Sequence, residues 1–219
     1  MHFKTRLIII LFLMITGIGL ILKNFFIKEP LIVDHNRVFS QSLIEYPSKY
    51  NYRQTINDCG PFNTSAVIRA LKGEDNDPQF YVKKMTWRLP NKYTIPWGLE
   101  NQLNESGIST EVVQLKTLSD DEKIIFLKER LSQKKPIIIL GGRDNYEHYL
   151  TLFGFDSNNE QFYIYDSLFK KNDTVEGLTV DDNYELPGNR NYTNKELLNF
   201  WENGGMYGLF QWYAIVANR

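Results

Sequence analysis

Two side chains with complementary chemistry lie far apart in the sequence and could form one nucleophilic site. Cys59 is the only cysteine among the 219 residues and stands in the segment QTINDCGPFNTSAVIRAL, which begins at Gln54. A thiol reacts as its thiolate, so a working cysteine needs a base, which at neutral pH is usually histidine. Of the three histidines, His2 and His35 precede the expected folded core and only His148 belongs to it. The sequence therefore predicts Cys59 as a nucleophile and His148 as its base.

The residues around Cys59 place it at the start of a predicted helix. Proline is favoured at the beginning of a helix, and Gly60 and Pro61 follow the cysteine directly. Apolar residues then recur at helical spacing until Gly73, which is a stop signal. The unpaired N–H groups and the positive dipole end of a helix N-terminus favour a thiolate over a thiol.

A predicted hairpin brings a carboxylate to the histidine. The segments EHYLTLFGF and EQFYIYDSL are typical of antiparallel strands, and a turn centred at Ser157 or Asn158 joins them. Facing residues then have numbers that add to about 314 to 316, so His148 faces positions 166 to 168. Asp166 would hold the imidazole in one tautomer and stabilise it when protonated. A shift of one residue in the register would turn one of the two side chains to the opposite face of the sheet.

Gln54 is the predicted fourth member of the site. Attack on a carbonyl needs donors for the oxyanion, and the N–H of Cys59 and the amide of Gln54 could supply two. Each residue also has a structural interpretation: a buried cysteine, a strand histidine, an aspartate at a hairpin end and a surface glutamine. Their joint fit to one geometry favours the site.

The elements that must position these residues predict an α+β fold. The run SDDEKIIFLKERLSQ is typical of a helix that Ser119 and Glu122 open as a capping box, and Thr193 and Glu196 repeat that pattern. Between these helices lie the strands PIIILGG, EHYLTLFGF and EQFYIYDSL, and LFQWYAIVA is a predicted final strand. We therefore expect helices packed on an antiparallel sheet of consecutive strands.

The chain divides into three predicted parts: a membrane anchor or signal segment (1–28), a stalk (29–51) and a folded domain (52–219). The segment from Leu7 to Leu22 carries no charge and does not end in the small residues of a signal-peptidase site. We expect an uncleaved single-pass anchor in the cell membrane, with the domain outside the cytoplasm, or a secreted domain if the segment is cleaved. A single cysteine in such a domain cannot form an internal disulfide.

Composition excludes several other functions. With 25 basic and 26 acidic residues, the chain lacks the charge of a nucleic-acid-binding protein. No cysteine and histidine pattern with zinc spacing occurs, and we expect no cofactor or metal.

Met85, Trp87, Tyr93 and Trp97 are predicted to line a cleft or, more commonly for such aromatic clusters, to form part of the core. Nothing in the sequence indicates an oligomeric state.

At these residues the sequence resembles the papain-like cysteine peptidases, in particular the C-thirty-nine-like branch that includes the double-glycine leader peptidases of bacteriocin exporters. The resemblance rests on QTINDCGPFNTSAVIRAL, IPWGLENQLNESGISTEVVQL, KKPIIILGG, EHYLTLFGFD and FYIYDSL. It implies a papain-like fold, with Cys59 as nucleophile, His148 as general base, Asp166 as orienting carboxylate and Gln54 as oxyanion donor. Two features differ: the Gln-to-Cys spacing is one shorter than in the leader peptidases, and Asp-Ser replaces the usual Asp-Pro.

The predicted function is a membrane-anchored thiol hydrolase outside the cytoplasm that cleaves a peptide or amide bond through an acyl-enzyme. Its partner would be a peptide or protein substrate. Two alternatives use the same residues: an acyl or peptidyl transferase, or a cell-wall amidase. A further alternative is a papain-like module that binds a peptide without catalysis.

Overall fold

The computed structural model combines helices with one antiparallel sheet over residues 33–35, 37–143, 146–169, 186–206 and 208–219. The helices in this part of the chain are α1 (Cys59–Lys72), α2 (Pro78–Lys84), α3 (Pro96–Glu105), α4 (Asp120–Ser132) and α5 (Asn194–Glu202), with a 3₁₀ turn at Ser48–Tyr50. The strands are β1 (Gln41–Leu43), β2 (Ser109–Gln114), β3 (Ile137–Arg143), β4 (Tyr146–Asp156), β5 (Gln161–Tyr165), β6 (Arg190–Thr193) and β7 (Tyr213–Asn218).

The seven strands of the described residues form one sheet, in which six follow the order β2-β7-β3-β4-β5-β6 and every pair is antiparallel. The short strand β1 pairs with the far end of β4. Strands β3, β4 and β5 are consecutive neighbours, as the turn signals between them predicted. The predicted α+β class is therefore confirmed.

Helices cover both faces of the sheet. Residues alternate along β3, so that Ile137 and Ile139 pack with α4 and α5 whereas Ile138 and Leu140 pack with α1 and α3. Burial on both faces explains why this strand is a continuous apolar run. The two-sided packing fixes α1 against the middle of the sheet, where β4 carries His148.

The local signals for the helix ends are confirmed. Ser119 and Thr193 each accept a hydrogen bond from the N–H three residues on, and the Glu122 and Glu196 carboxylates accept from the N–H groups of the cap residues. Each such cap stabilises a helix by about 1 kcal/mol. Gly73 ends α1 with a φ of +70°, a conformation that costs a glycine little.

The packed structure extends further toward the N-terminus than the predicted boundary at residue 52. Strand β1 joins the sheet, and Tyr46 is buried with its ring stacked 4.4 Å from Phe153. Residues 41–50, which the sequence assigned to a stalk, therefore contribute to the core. The predicted anchor at 1–28 lies outside the described residues. Among those described, no helix combines the length and the apolar character needed to span a bilayer.

Candidate active site

The sheet brings His148 and Asp166 into direct contact. His148 lies on β4 and Asp166 follows the last residue of β5, and each is only 3% exposed. His148 Nε2 lies 2.8 Å from Asp166 Oδ1. This distance is that of a charge-assisted hydrogen bond. The predicted base and the predicted carboxylate are thus neighbours in the structure.

A β-bulge in β4 makes this contact possible. Near the turn, Asp156 pairs with Gln161 and Phe155 with Phe162, so the numbers of facing residues add to 317. That odd register would place Asp166 opposite Thr151, on the other face of β4 from His148. The register shifts between Leu152 and Gly154, after which Leu152 pairs with Ile164 and the numbers add to 316. The extra residue restores the parity that the sequence-based hairpin required.

The contact also sets the charge on both groups. Burial alone would lower the pKa of His148, but Asp166 and the nearby Cys59 outweigh it and raise that pKa from 6.5 to about 10. Burial would raise the pKa of Asp166, but His148, the Leu168 N–H and Arg190 together lower it. At neutral pH the pair is therefore an imidazolium and a carboxylate.

Cys59 completes the group from the helical side. It is the first residue of α1, as predicted, is only 5% exposed and forms no disulfide. Hydrogen bonding and charge from Cys59 contribute to the raised pKa of His148. Asp166 occupies Nε2, so Nδ1 is the ring nitrogen that is left for a second partner. Cys59 and His148 line one cleft.

Gln54 borders the same cleft, whose volume is about 340 Å³ and whose lining includes Cys59 and His148. The Gln54 N–H donates to the Ser167 carbonyl at 2.7 Å, and the Ser167 hydroxyl donates to Gln54 Oε1. The side-chain oxygen is thereby engaged, so the NH₂ is the end of the amide that can donate to a ligand. A proline at position 167 would lack this hydroxyl. The oxyanion role of Gln54 stays a prediction.

Asn63 is a buried residue of the candidate site that was not predicted from the sequence. Its Nδ2 donates to the carbonyls of Cys59 and Tyr149, both at 2.8 Å, and its Oδ1 accepts from Thr151 at 2.7 Å. The amide therefore links the backbone of the predicted nucleophile to the residue that follows His148. The only sequence signal was a polar residue on the apolar face of a predicted helix.

Asn189 and Arg190 support Asp166 and were also missed. The Asn189 side chain accepts from the Asp166 N–H at 2.8 Å and donates to the Asp166 carbonyl at 2.9 Å. Arg190 Nη1 lies 4.0 Å from Asp166 Oδ2 and is almost fully buried. These contacts span more than 20 residues of sequence, and no local pattern marks them.

The four predicted cleft residues have different positions. Tyr93 lines the cleft, and Met85 is buried. Trp87 is half exposed and packs edge-to-face on Trp97, which in turn packs on Phe210. The cleft and core interpretations each apply to part of the set. Within the described residues, no group of three or more His, Cys, Asp or Glu side chains is arranged to hold a metal ion.

Comparison with known proteins gives a distant structural likeness. The sequence matches no protein-family model and no curated protein. Among solved structures, the chain is similar to the peptidase domain of Streptococcus ComA, a bi-functional ABC transporter involved in a quorum-sensing pathway, at 15% identity and a TM-score of 0.49. The match covers 81% of this chain and 98% of that chain. A likeness of this size carries no argument about activity, which must be argued from the site itself.

Proposed function

We propose that this chain is a papain-like thiol hydrolase that cleaves a peptide or amide bond through an acyl-enzyme. The observation that supports the proposal most is that Cys59 and His148 line one cleft and that the His148 imidazole lies 2.8 Å from the Asp166 carboxylate. A buried cysteine with only a packing role does not require a charged histidine beside it. A charged pair of this kind is the arrangement that activates a thiol.

In the proposed reaction, the thiol proton resides on His148 and the Cys59 sulfur attacks the substrate carbonyl carbon. The carbonyl π electrons move to oxygen, and the Cys59 N–H and the Gln54 NH₂ stabilise the resulting oxyanion. When the tetrahedral intermediate collapses, the C–N bond breaks and His148 gives its proton to the leaving amine. A water molecule, deprotonated by His148, then attacks the thioester and releases the acid and the free thiol.

Asp166 keeps the imidazole in the orientation that both proton transfers need. Because Asp166 occupies Nε2, the other ring nitrogen, Nδ1, is the one left to exchange a proton with the sulfur. The proposal also places the domain outside the cytoplasm on the predicted N-terminal anchor, residues 1–28. The segment's uncharged run from Leu7 to Leu22 supports the anchor.

The proposal is tested by incubating the full-length protein with a mixed peptide library and reading cleavage by mass spectrometry. Cys59→Ser is the matched control, because it keeps the shape of the side chain and removes the thiolate. We expect cleavage by the wild type only, together with an acyl-enzyme mass on Cys59 when the reaction is quenched in acid. Turnover of peptidoglycan fragments without peptide cleavage would indicate an amidase, and transfer to an added amine a transferase. Peptide binding that Cys59→Ala retains, with no turnover by the wild type, would indicate a binding module and refute the hydrolase.

A further inference from the structure

Asp58 occupies the N-cap position of α1 but does not cap the helix. Aspartate at this position normally accepts a hydrogen bond from an N–H of the first turn. In the described structure the Asp58 side chain makes no such bond. The third residue of α1 is Pro61, which has no N–H, and the Phe62 N–H already bonds the Asp58 carbonyl at 3.1 Å. The first-turn N–H groups that a carboxylate could take are therefore those of Cys59 and Gly60.

Arg88 and Thr55 hold the Asp58 carboxylate in a different direction. Arg88 Nη2 donates to Asp58 Oδ1 at 2.7 Å, and the Thr55 hydroxyl donates to Oδ2. Both oxygens of the carboxylate are thus engaged. The side chains of Asp58 and Arg88 are 4% and 14% exposed, so water screens this ion pair little.

The same guanidinium also fixes the loop that leads into the helix. Arg88 Nη2 donates to the Asn57 carbonyl at 3.2 Å and to the Lys92 carbonyl at 2.8 Å. Asn57 has a φ of +59° and its side chain donates to the Asn91 carbonyl at 2.7 Å. Arg88 therefore joins the segment that carries Tyr93 to the loop between Gln54 and Cys59.

We propose that Arg88 is a positioning residue that, through Asp58, keeps a negative charge off the first turn of α1 and leaves the Cys59 N–H for the substrate oxyanion. This inference rests on the proposed function. The reaction develops two anions at this helix end, the thiolate and the oxyanion, and a carboxylate released beside them would oppose both and compete for the same N–H. Arg88 neutralises that carboxylate and directs it away.

The test compares Arg88→Met, Asp58→Asn and the double variant by the rate at which iodoacetamide alkylates Cys59 at pH 6. Arg130→Met is the matched control, because Arg130 makes a two-bond ion pair with Glu111 and does not line the cleft. We expect Arg88→Met to react about tenfold more slowly than the wild type, since an unneutralised neighbouring carboxylate disfavours the thiolate by about that factor or more. Asp58→Asn and the double variant should react at close to the wild-type rate, and so should Arg130→Met.

The double variant separates this charge effect from a loss of packing, since it lacks the same guanidinium as Arg88→Met but also lacks the carboxylate charge. If Arg88→Met does not fold, the double variant still decides the question: fast alkylation supports the inference and slow alkylation overturns it. If the wild type is alkylated quickly and Arg88→Met is alkylated at the same rate, the role of Arg88 is overturned while the proposed function stands. A wild type as slow as a free thiol would overturn the proposed function, and this inference with it.

Discussion

The two halves of the candidate site are held in place by different kinds of interaction. His148 and Asp166 lie on or next to paired strands, and the backbone ladder of the sheet sets their separation. Cys59 and Gln54 lie at a helix start and in a loop, where side chains such as Arg88 and Ser167 do the positioning. The sheet half therefore depends on register, whereas the loop half depends on a few individual side chains.

The largest expected effect comes from the sheet half. His148→Asn removes the group that carries the proton in both steps, and we expect kcat/KM on a cleaved peptide to fall by about 10³-fold, within the range for a lost acid–base group. His35→Asn is the control, because His35 is exposed and pairs with Glu122 away from the cleft. Similar losses in the two variants would contradict the assignment of His148.

A smaller loss is expected when the loop half loses its side-chain donor. Gln54→Ala should lower kcat by about 10²-fold, as for the loss of one oxyanion donor. The alkylation rate of Cys59 should stay the same, because no oxyanion forms in that reaction. A rise in KM with unchanged kcat would show that Gln54 only binds substrate. The exposed Gln133 offers a control, Gln133→Ala, that should leave both measurements unchanged.

Asn63 links the two halves, and its removal should affect both. Asn63→Leu removes the side-chain donor to the carbonyls of Cys59 and Tyr149 and the acceptor of the buried Thr151 hydroxyl, so we expect the free energy of unfolding to fall by about 1–3 kcal/mol. We also expect kcat to fall about tenfold, since small displacements in a catalytic group are costly. Thr151→Val removes only the third hydrogen bond and should cost less in urea unfolding and in activity. Equal costs in the two variants would show that Asn63 does not link the halves.

The last prediction concerns the pH dependence of stability. Because the pKa of His148 is raised from 6.5 to about 10, its contribution is complete below pH 6.5 and is lost as the pH rises through 10. Because the pKa of Asp166 is lowered from 3.8, its contribution is present above pH 3.8 and is lost as the pH falls below that value. Asp166→Asn should therefore show a flatter stability profile between pH 6.5 and 10 than the wild type by urea unfolding. Parallel profiles would contradict the coupling of the two groups.

Sequence reasoning succeeded where the signals were local. The helix start at Cys59, the capping boxes at Ser119 and Thr193, and the hairpin that contains His148 all depend on neighbouring residues. Near the site the numbers of facing residues add to 316, within the predicted 314 to 316. The bulge between Leu152 and Gly154 was not predicted, because a bulge depends on packing across strands.

Contacts between distant segments could not be predicted. The Arg88–Asp58 pair, the Asn63 hydrogen bonds to β4 and the support of Asp166 by Asn189 join residues 23 to 88 positions apart. The predicted start of the domain was also too late, because the apolar residues around Ile44 and Tyr46 follow no regular period and reveal their burial only in the fold. The anchor at 1–28 and the catalytic roles stay predictions.

The most direct test of the central claim is the rate at which iodoacetamide alkylates Cys59 at pH 6, in the wild type and in His148→Asn. A thiolate held by an imidazolium should react about a hundredfold faster than a free thiol, whose pKa is ~8.5. We expect that rate in the wild type and a rate close to that of a free thiol in His148→Asn. Equal rates in the two proteins, both as slow as that of a free thiol, would contradict the assignment of Cys59 as a nucleophile activated by His148.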